Sequence, residues 1–350
     1  MHFSTIPIFI PGVACPNRCI YCNQQIISGQ PAMPTEKEII QTICRNLSTI
    51  PINYHKEIGF FGGTFTGLPL EEQWRLLCLV KPFVERGEVD GIRISTHPLC
   101  ISPDIVNLLN RGGVRTVELG VQSFDDDVLK NSGRGYTAKQ IYEAARSIKE
   151  AGLDLGMQMM VGLPGDTPEK CLETAKCIIR AGASNTRIYP TLVVQGTALA
   201  SLYLQGKYTA LSLEQAVEWT APVLRLFQEN NVAVLRVGLH PTEGFINGTD
   251  YMVGPFHVAF KELVQSEIWK EVFESVLGKT NNLKENNASW LMRVSPSQLN
   301  SAIGHKGSNK KMLLQSCRKV RFIPDNTLKN YECVLEKSDL RSNTFSKNIK

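Results

Sequence analysis

The sequence lacks any uninterrupted apolar run near the roughly 18 residues of a membrane-spanning helix, so we expect no transmembrane segment. Its start, MHFSTIPIFIPGVAC, has no lysine or arginine ahead of the apolar stretch and includes two prolines, which argues against a signal peptide. The 10 cysteines among 350 residues are too sparse for a disulfide scaffold, and we expect them to be reduced. These absences predict a cytoplasmic protein without a membrane partner.

Positive charge is concentrated at the C-terminal end. Residues 301–350 hold eleven Lys or Arg and four Asp or Glu, a balance of +7; the whole chain carries +5, so residues 1–300 sum to −2. A near-neutral body with a basic end suggests an acidic partner for that end, although a solvated terminus would look the same. With 43% hydrophobic residues, the chain can bury a real core in one large or two modest domains.

Strand patterns alternate with helical patterns along the first 230 residues. The predicted strands are Ile6–Ile10, Ile58–Phe61, Gly91–Thr96, Val114–Val121, Leu153–Val161 and Asn185–Val194. The predicted helices are Glu36–Leu47, Leu70–Glu85, Pro103–Asn110, Thr137–Ala151, Thr167–Ala181 and Ser212–Asn230. Six such units predict an α/β fold, with a parallel sheet wound by right-handed crossovers into an open or closed barrel. The functional site is then expected at the C-terminal ends of the strands.

Three cysteines follow the first predicted strand in one loop. Cys15, Cys19 and Cys22 have the spacing C-x3-C-x2-C, and thiolates are the usual ligands of iron–sulfur clusters and zinc. A closed zinc site needs four ligands, and the next candidates, Cys44 and His55, are distant in sequence. Three close ligands therefore favour a 4Fe–4S cluster with one open iron over three unrelated thiols.

The cysteine triplet, with Tyr21 as the aromatic residue before its last cysteine and Gly62-Gly63-Thr64 at the next strand end, resembles the radical S-adenosylmethionine (SAM) superfamily. The resemblance covers residues 5–235. It implies a partial (βα)6 TIM-like barrel in which the cysteines hold a 4Fe–4S cluster and SAM binds the open iron. It also implies reductive cleavage of SAM to a 5′-deoxyadenosyl radical, and a reductant such as flavodoxin or ferredoxin. It identifies no catalytic side chain.

The same resemblance implies roles for single residues around SAM. Gly62, Gly63 and Thr64 would bind the ammonium group, Gln122 would face the ribose and methionine, and Gly162 would shape the adenine end. Arg134 would approach the SAM carboxylate, for which a guanidinium is suited; the alternative is an ordinary surface arginine. Ser95 and Gln158 stand where related enzymes carry acidic residues, so two carboxylates that could bind SAM are absent.

Within the superfamily, several strings most closely resemble the radical SAM part of the elongator catalytic subunit. They are Gly62–Phe65, Glu118–Ser123, Arg134–Thr137, Gly162–Gly165 and Ile188–Thr197. That family modifies the wobble uridine of transfer RNA, so the resemblance implies tRNA or another RNA as substrate. Residues 236–350 do not resemble the elongator acetyltransferase domain, and the chain is similar to a short bacterial form without it.

The basic end contains a second motif. Gly304-His305-Lys306-Gly307 lies between the predicted helices Gln298–Ile303 and Asn309–Ser316, with candidate strands on either side. Helix, G-x-x-G, helix resembles the KH module, whose loop clamps a nucleic-acid backbone. Gly304 and Gly307 would allow close approach and Lys306, Lys310 and Lys311 would contact phosphates. A purely structural helical hairpin is the alternative.

These patterns predict four segments. They are a barrel over 1–235, an extension packing on it over 236–285, a small basic KH-like segment over 286–335 and a disordered tail over 336–350. Arg236 and His240 could line the open side of the barrel, although such residues are more often packed or at the surface.

Three hypotheses follow. The first is a radical SAM enzyme that modifies RNA, most plausibly tRNA. The second is a radical SAM enzyme that acts on a small molecule or peptide and whose basic end is purely structural. The third is a noncatalytic iron–sulfur or zinc protein that binds RNA.

Overall fold

The computed structural model describes residues 3–24, 26, 32–279 and 289–338. It divides the chain into two compact units, Met1–Val258 and Ala259–Lys350. The finer division into four segments stays a prediction, and most of the expected tail lies outside the described residues. Within the described ranges, no helix combines the length and the apolar composition needed to cross a bilayer.

The first unit is built on a curled parallel sheet of seven strands. These are β1 (Phe3–Ile10), β2 (His55–Gly62), β3 (Gly91–Thr96), β4 (Val114–Gln122), β5 (Asp154–Val161), β6 (Asn185–Pro190) and β8 (Ala233–Val237), in that order across the sheet. Each strand pairs in parallel with its neighbour, which confirms the predicted α/β half-barrel. The last strand, β8, was not predicted.

The predicted sixth strand is interrupted. It ends at Pro190, which has no N–H to continue the ladder, and Val193–Val194 form a separate short strand, β7. This strand pairs antiparallel with β9 (Tyr251–Val253). One continuous apolar stretch therefore supplies two strands in two different sheets.

Helices join the strands of the first unit. They are α1 (Glu36–Leu47), α2 (Leu70–Glu85), α3 (Pro103–Arg111), α4 (Asp126–Asn131), α5 (Ala138–Glu150), α6 (Pro168–Arg180), α7 (Ala198–Leu204), α8 (Leu213–Glu229) and α9 (Glu243–Ile246). Their starts are fixed by local caps; the Thr35 hydroxyl accepts from the Glu38 amide and the Glu38 carboxylate accepts from the Thr35 amide. Many apolar strand residues, such as Ile58, Ile92 and Val117, are fully buried.

The curl of the sheet is visible in contacts between strands that are not neighbours. The Arg187 guanidinium on β6 lies 5.0 Å from the Phe61 ring centre on β2, four places away in the sheet. In a flat sheet those strands would be about 19 Å apart. Arg93 on β3 likewise donates to Asn185 on β6 at 3.0 Å. The concave face therefore closes on itself at this level.

Four charges meet on that concave face. Arg93 donates to Glu57 at 2.8 Å and to Glu118 at 3.4 Å, and Arg187 donates to Glu118 at 2.9 Å. Arg93 is 5% exposed and Glu118 is 3% exposed. Thr116 donates a further hydrogen bond to Glu57 at 2.9 Å. Two cations and two carboxylates thus neutralise one another away from water, a state that depends on each member being present.

The second unit is a small α/β structure. It contains α10 (Phe260–Lys279), β10 (Ser289–Val294), α11 (Leu299–Ile303), α12 (Ser308–Leu314), β11 (Lys319–Pro324) and β12 (Cys333–Ser338). The central strand β10 pairs in parallel with β11 and antiparallel with β12. Its core is formed by Trp269, Phe273, Met292, Val294, Ala302, Leu313 and Val320. The predicted order of strand, helix, G-x-x-G, helix and strand is present, whereas β12 was not predicted.

We expect Arg93→Met to lower the free energy of unfolding of the first unit by about 3–5 kcal/mol, because it leaves the buried Glu57 carboxylate without its arginine and Glu118 with Arg187 alone. The matched control is Arg115→Met, which breaks an exposed pair with Asp154 and should cost less than about 1 kcal/mol. Urea unfolding followed by circular dichroism measures both. Equal losses in the two variants would show that the buried network is not the stabilising element described.

Candidate functional site

The cysteine loop leaves β1 and is fixed by the chain on two sides. The Ile20 amide donates to the Ser132 carbonyl at 3.2 Å, and the Leu199 amide donates to the Ile20 carbonyl at 2.8 Å. The Asn17 side chain donates to the Arg134 carbonyl at 2.7 Å. These bonds tie the loop to the segment after α4 and to the start of α7, at the C-terminal ends of the strands.

Gly62 and Gly63 let the chain leaving β1 lie directly against the end of β2. The Gly63 amide donates to the Ile10 carbonyl at 3.0 Å. A Cβ atom at either glycine would collide with a backbone carbonyl oxygen, that of Ile10 or of Pro11. Close backbone packing therefore explains why glycine occupies both positions, which the sequence pattern did not reveal. Its predicted contact with the SAM ammonium stays a prediction.

Each sulfur of the triplet receives a hydrogen bond from a different element. Thr64 Oγ1 donates to Cys15 Sγ at 3.4 Å, and Gln24 Nε2 donates to Cys22 Sγ at 3.4 Å. Arg134 Nη1 donates to Cys19 Sγ at 2.9 Å. Such donors stabilise sulfur in its thiolate form, which is the form that binds a metal.

The three sulfurs are also close enough to influence one another electrostatically. Burial, and after it negative charge on Cys19 and on Cys15, together raise the pKa of the Cys22 thiol to about 12. The Cys22 thiol is therefore expected to lose its proton when a metal cation binds beside it and neutralises the thiolate.

The donor set fits a 4Fe–4S cluster better than a single ion. Among the described residues, no three His, Cys, Asp or Glu side chains converge as the ligands of one metal ion do. In a cubane cluster each thiolate binds a different iron, so ligands spread around it suit the group. An apolar cluster lies beneath the loop and consists of Tyr21, Val128, Leu163, Val193, Leu199, Ala200 and Tyr208. Apolar packing of this kind excludes water from the sulfurs.

Arg134 is buried rather than at the surface, with 6% of its area exposed. Its Nε donates to the Tyr136 hydroxyl at 2.7 Å, and one Nη group donates to the Gly120 carbonyl at the end of β4. No carboxylate of the described residues lies within 4 Å of the guanidinium, whose remaining neighbours are Cys19 and the Tyr21 hydroxyl. A buried cation without an acidic partner favours an anion at this place.

Gln122 and Gln158 form a reciprocal amide pair. Gln122 Nε2 donates to Gln158 Oε1 at 3.0 Å, and Gln158 Nε2 donates to Gln122 Oε1 at 2.8 Å. Gln122 has φ of 65° at an irregularity in the β4–β5 ladder, a backbone conformation that non-glycine residues rarely adopt. The neutral side chain at 158 thus holds the strained residue at 122, where a carboxylate would offer no donor.

The other predicted positions lie at neighbouring strand ends. Ser95 lies in β3 opposite Glu118 of β4. Gly162 follows β5 with φ of 82°; its amide donates to Asp166 at 2.9 Å and its carbonyl accepts from the Tyr208 hydroxyl at 2.7 Å. The structure therefore gathers the cysteine loop and the predicted residues of the first unit at the C-terminal ends of β1 to β5.

His97 is a site residue that the sequence pattern did not single out. Its Nδ1 accepts from the Leu99 amide at 3.3 Å, and its ring meets Tyr136 edge-on with centroids 4.8 Å apart. Its Nε2 is buried without a hydrogen-bond partner among the described residues. Burial and then the Arg134 charge lower the pKa of His97 to about 3, so the ring is neutral at physiological pH.

The G-x-x-G loop of the second unit is firmly held but presents its lysines to solvent. Gly304, Lys306 and Gly307 all have positive φ, and a Cβ at Gly304 would collide with Ser308. The His305 amide donates to Ser266 Oγ of α10 at 2.9 Å. The exposed lysines are Lys306, Lys310 and Lys311. The RNA contact of these lysines stays a prediction.

Comparisons with known proteins identify the family that the sequence resembles. A family model for the radical SAM superfamily matches residues 9–178, and one for the radical SAM C-terminal domain matches residues 184–270. A tRNA uridine(34) acetyltransferase of Dehalococcoides mccartyi (strain CBDB1) is 28% identical over 239 residues, covering 58% of this chain and 52% of that protein. Elongator complex protein 3 of Homo sapiens is 34% identical over 140 residues, covering 39% of this chain and 25% of that protein.

A solved structure extends the likeness to the fold. The archaeal Methanocaldococcus infernus Elp3 with an N-terminal deletion superposes with a TM-score of 0.59 at 19% identity, covering 82% of this chain and 66% of that one. The match to the bacterial acetyltransferase spans about half the length of that relative.

We expect protonation of His97 to make stability depend on pH. Its folded-state pKa, about 3, lies below the ordinary value near 6.5, so the unfolded state takes up the proton first. Below about pH 6.5 the residue should therefore remove about 1.4 kcal/mol of stability per pH unit. His97→Asn keeps an acceptor for the Leu99 amide but lacks this proton, so its deficit relative to the wild type should shrink between pH 7.5 and 5.5.

Urea unfolding of both cluster-free proteins at several pH values measures the difference. All other titrating groups are shared and cancel in the comparison. A deficit that stays constant with pH would contradict a buried, neutral His97.

Proposed function

The chain belongs to the radical SAM superfamily, whose enzymes use a 4Fe–4S cluster and SAM, and on that premise we propose that its substrate is an RNA, specifically a tRNA. The observation that carries the RNA assignment is the anchored G-x-x-G loop with three exposed lysines in the second unit. The printed names of the relatives, a tRNA uridine(34) acetyltransferase among them, support the same class of substrate.

Cys15, Cys19 and Cys22 would hold the cluster, which supplies the electron for reductive cleavage of bound SAM into methionine and a 5′-deoxyadenosyl radical. The reductant would be a small redox protein such as flavodoxin or ferredoxin. The remaining work falls to this chain's own groups, which orient SAM and exclude water.

We propose that Arg134 binds the SAM carboxylate, because its buried guanidinium lies beside Cys19 and has no carboxylate partner among the described residues. The backbone of Gly62 and Gly63 with Thr64, which contacts Cys15, would receive the ammonium group. Gln122, held by Gln158, would orient the ribose. We propose that Ser95 and Gly162 line the same space at the ends of β3 and β5.

In the second unit, Gly304 and Gly307 would leave the loop backbone open to an RNA strand. A Cβ at Gly307 would meet open space, so this side of the loop is free of protein atoms among the described residues. Lys306, Lys310 and Lys311 would then supply phosphate contacts, as in KH modules.

We expect anaerobically reconstituted and reduced protein to convert SAM to 5′-deoxyadenosine, at a rate that rises with total tRNA. A Cys15/Cys19/Cys22→Ala triple variant should lose the cluster absorbance and this activity, because the ligands are gone. The matched control is Cys44→Ala with Cys78→Ala, which removes exposed helical cysteines and should leave the rate unchanged. Absence of 5′-deoxyadenosine from wild-type protein with a verified cluster would contradict the assigned chemistry.

We also expect Lys306→Gln combined with Lys310→Gln to weaken tRNA binding and to reduce the slope of log affinity against log salt by about one per lost phosphate contact. Fluorescence anisotropy with labelled tRNA at several salt concentrations measures both quantities. Lys329→Gln, an exposed lysine of the same unit outside the loop, serves as the control. If SAM cleavage ignores tRNA and the loop variants bind as wild type does, a small molecule or peptide becomes the better substrate class.

A further inference from the structure

A line of interior side chains leads away from the SAM-binding residues towards the edge of the sheet. Gln158, which holds Gln122, is in register with Arg187 of β6, and Arg187 is in register with Arg236 of β8. Register partners on parallel neighbours point to the same face. With about 4.8 Å between strands, Arg236 lies roughly 10 Å along the sheet from Gln158.

Arg187 is already neutralised by the buried network. It donates to Glu118 at 2.9 Å and covers the ring of Phe61, and that carboxylate also accepts from Arg93. Its charge is therefore committed to holding the curled sheet together.

Arg236 has no such partner. Within the described part of the chain, no carboxylate lies within 4 Å of its guanidinium, and its Nη1 lies 3.4 Å from Nδ1 of His240. Burial and then Arg236 itself lower the pKa of His240, which keeps that ring neutral. The positive charge of Arg236 thus stands beside a neutral imidazole, half-buried at the interior face.

Tyr189 lies two residues after Arg187 on β6, so its side chain faces the same side of the sheet, diagonal to Arg236 on β8. Burial raises the pKa of the Tyr189 hydroxyl, while the charge of Arg187 and, more weakly, that of Arg236 act to lower it. Among the described residues, the concave face at β6 and β8 therefore offers one cation without a carboxylate partner and, diagonal to it, one hydroxyl donor.

This pair is at the open side of the sheet. β8 is an edge strand, and in the described residues no further strand pairs with it or joins it to β1. A group reaching the interior between β8 and β1 would meet Arg236 before it met Gln158 and Gln122. An extended polymer can contact both places at once. Its reacting unit would lie near Gln122 and Gln158, and its adjoining backbone would lie near Arg236 at the edge strand.

We propose that Arg236, with the Tyr189 hydroxyl beside it, binds a backbone phosphate of the RNA strand adjacent to the nucleoside that enters the barrel. The proposal rests on the proposed function and adds a phosphate subsite to it. A guanidinium binds two phosphate oxygens at once, and a partly desolvated site strengthens that contact.

The test uses the full-length reconstituted protein and labelled tRNA. Arg236→Gln should weaken binding by about tenfold and reduce the salt slope by about one, and Arg236→Lys should lie between this variant and the wild type. Arg45→Gln removes one exposed arginine from the outer helix α1 and should bind as the wild type does. SAM cleavage measured without RNA should be unchanged in all three variants.

A scan of RNA oligonucleotides with single neutral methylphosphonates locates the contact. One substitution should weaken wild-type binding yet cost nothing further in Arg236→Gln, the pattern expected of two groups that touch. Wild-type affinity and slope in Arg236→Gln, or additive losses at every position, would overturn the subsite while leaving the RNA assignment intact. Wild-type protein that neither binds tRNA nor responds to it would overturn the proposed function, and the subsite with it.

Discussion

The buried guanidinium of Arg134 joins the parts of the first unit on which the candidate chemistry depends. It contacts Cys19 and Tyr21 in the cysteine loop and the Gly120 carbonyl at the end of β4, while its own carbonyl accepts from Asn17. A buried cation surrounded by a thiol and phenols is costly until an anion is near. The loop geometry and the preference for an anionic group, such as a carboxylate, beside Arg134 therefore have one electrostatic origin.

Deeper in the same sheet, buried charges are instead neutralised by one another. There Glu57, Arg93, Glu118 and Arg187 cancel one another, and the closed network lets strands three and four places apart touch across the concave face. Curvature brings the strand ends together, so this neutral layer supports the site without taking part in it. The concave face of the sheet thus carries two layers. The charges of the deeper layer neutralise one another, whereas Arg134 at the strand ends has no carboxylate partner among the described residues.

The α/β order, the position of the cysteine loop and the helix–loop–helix of the second unit could be predicted because each depends on local patterns: hydrophobic periodicity, caps and residue spacing. His97, the Gln122–Gln158 pair and the four-charge network could not, because they join residues 25 to 69 positions apart or depend on burial. The packing role of Gly62 and Gly63 was hidden for the same reason, since their partners belong to another strand. β8 is short and only partly buried, so its hydrophobic pattern is weak.

The positive charges left without carboxylates indicate how a substrate would be arranged. Arg134 lies beside the cysteine loop and Arg236 lies at the edge strand, with the side chains of Gln122 and Gln158 between them. Radical transfer requires the reacting carbon to lie within van der Waals reach of the SAM ribose, which makes positioning the main task of the protein. Anions fixed at both ends of this line, the SAM carboxylate at one and a substrate phosphate at the other, would place the target nucleoside between them. The spacing of the strands between Arg134 and Arg236 would then set the distance between the SAM carboxylate and the substrate phosphate.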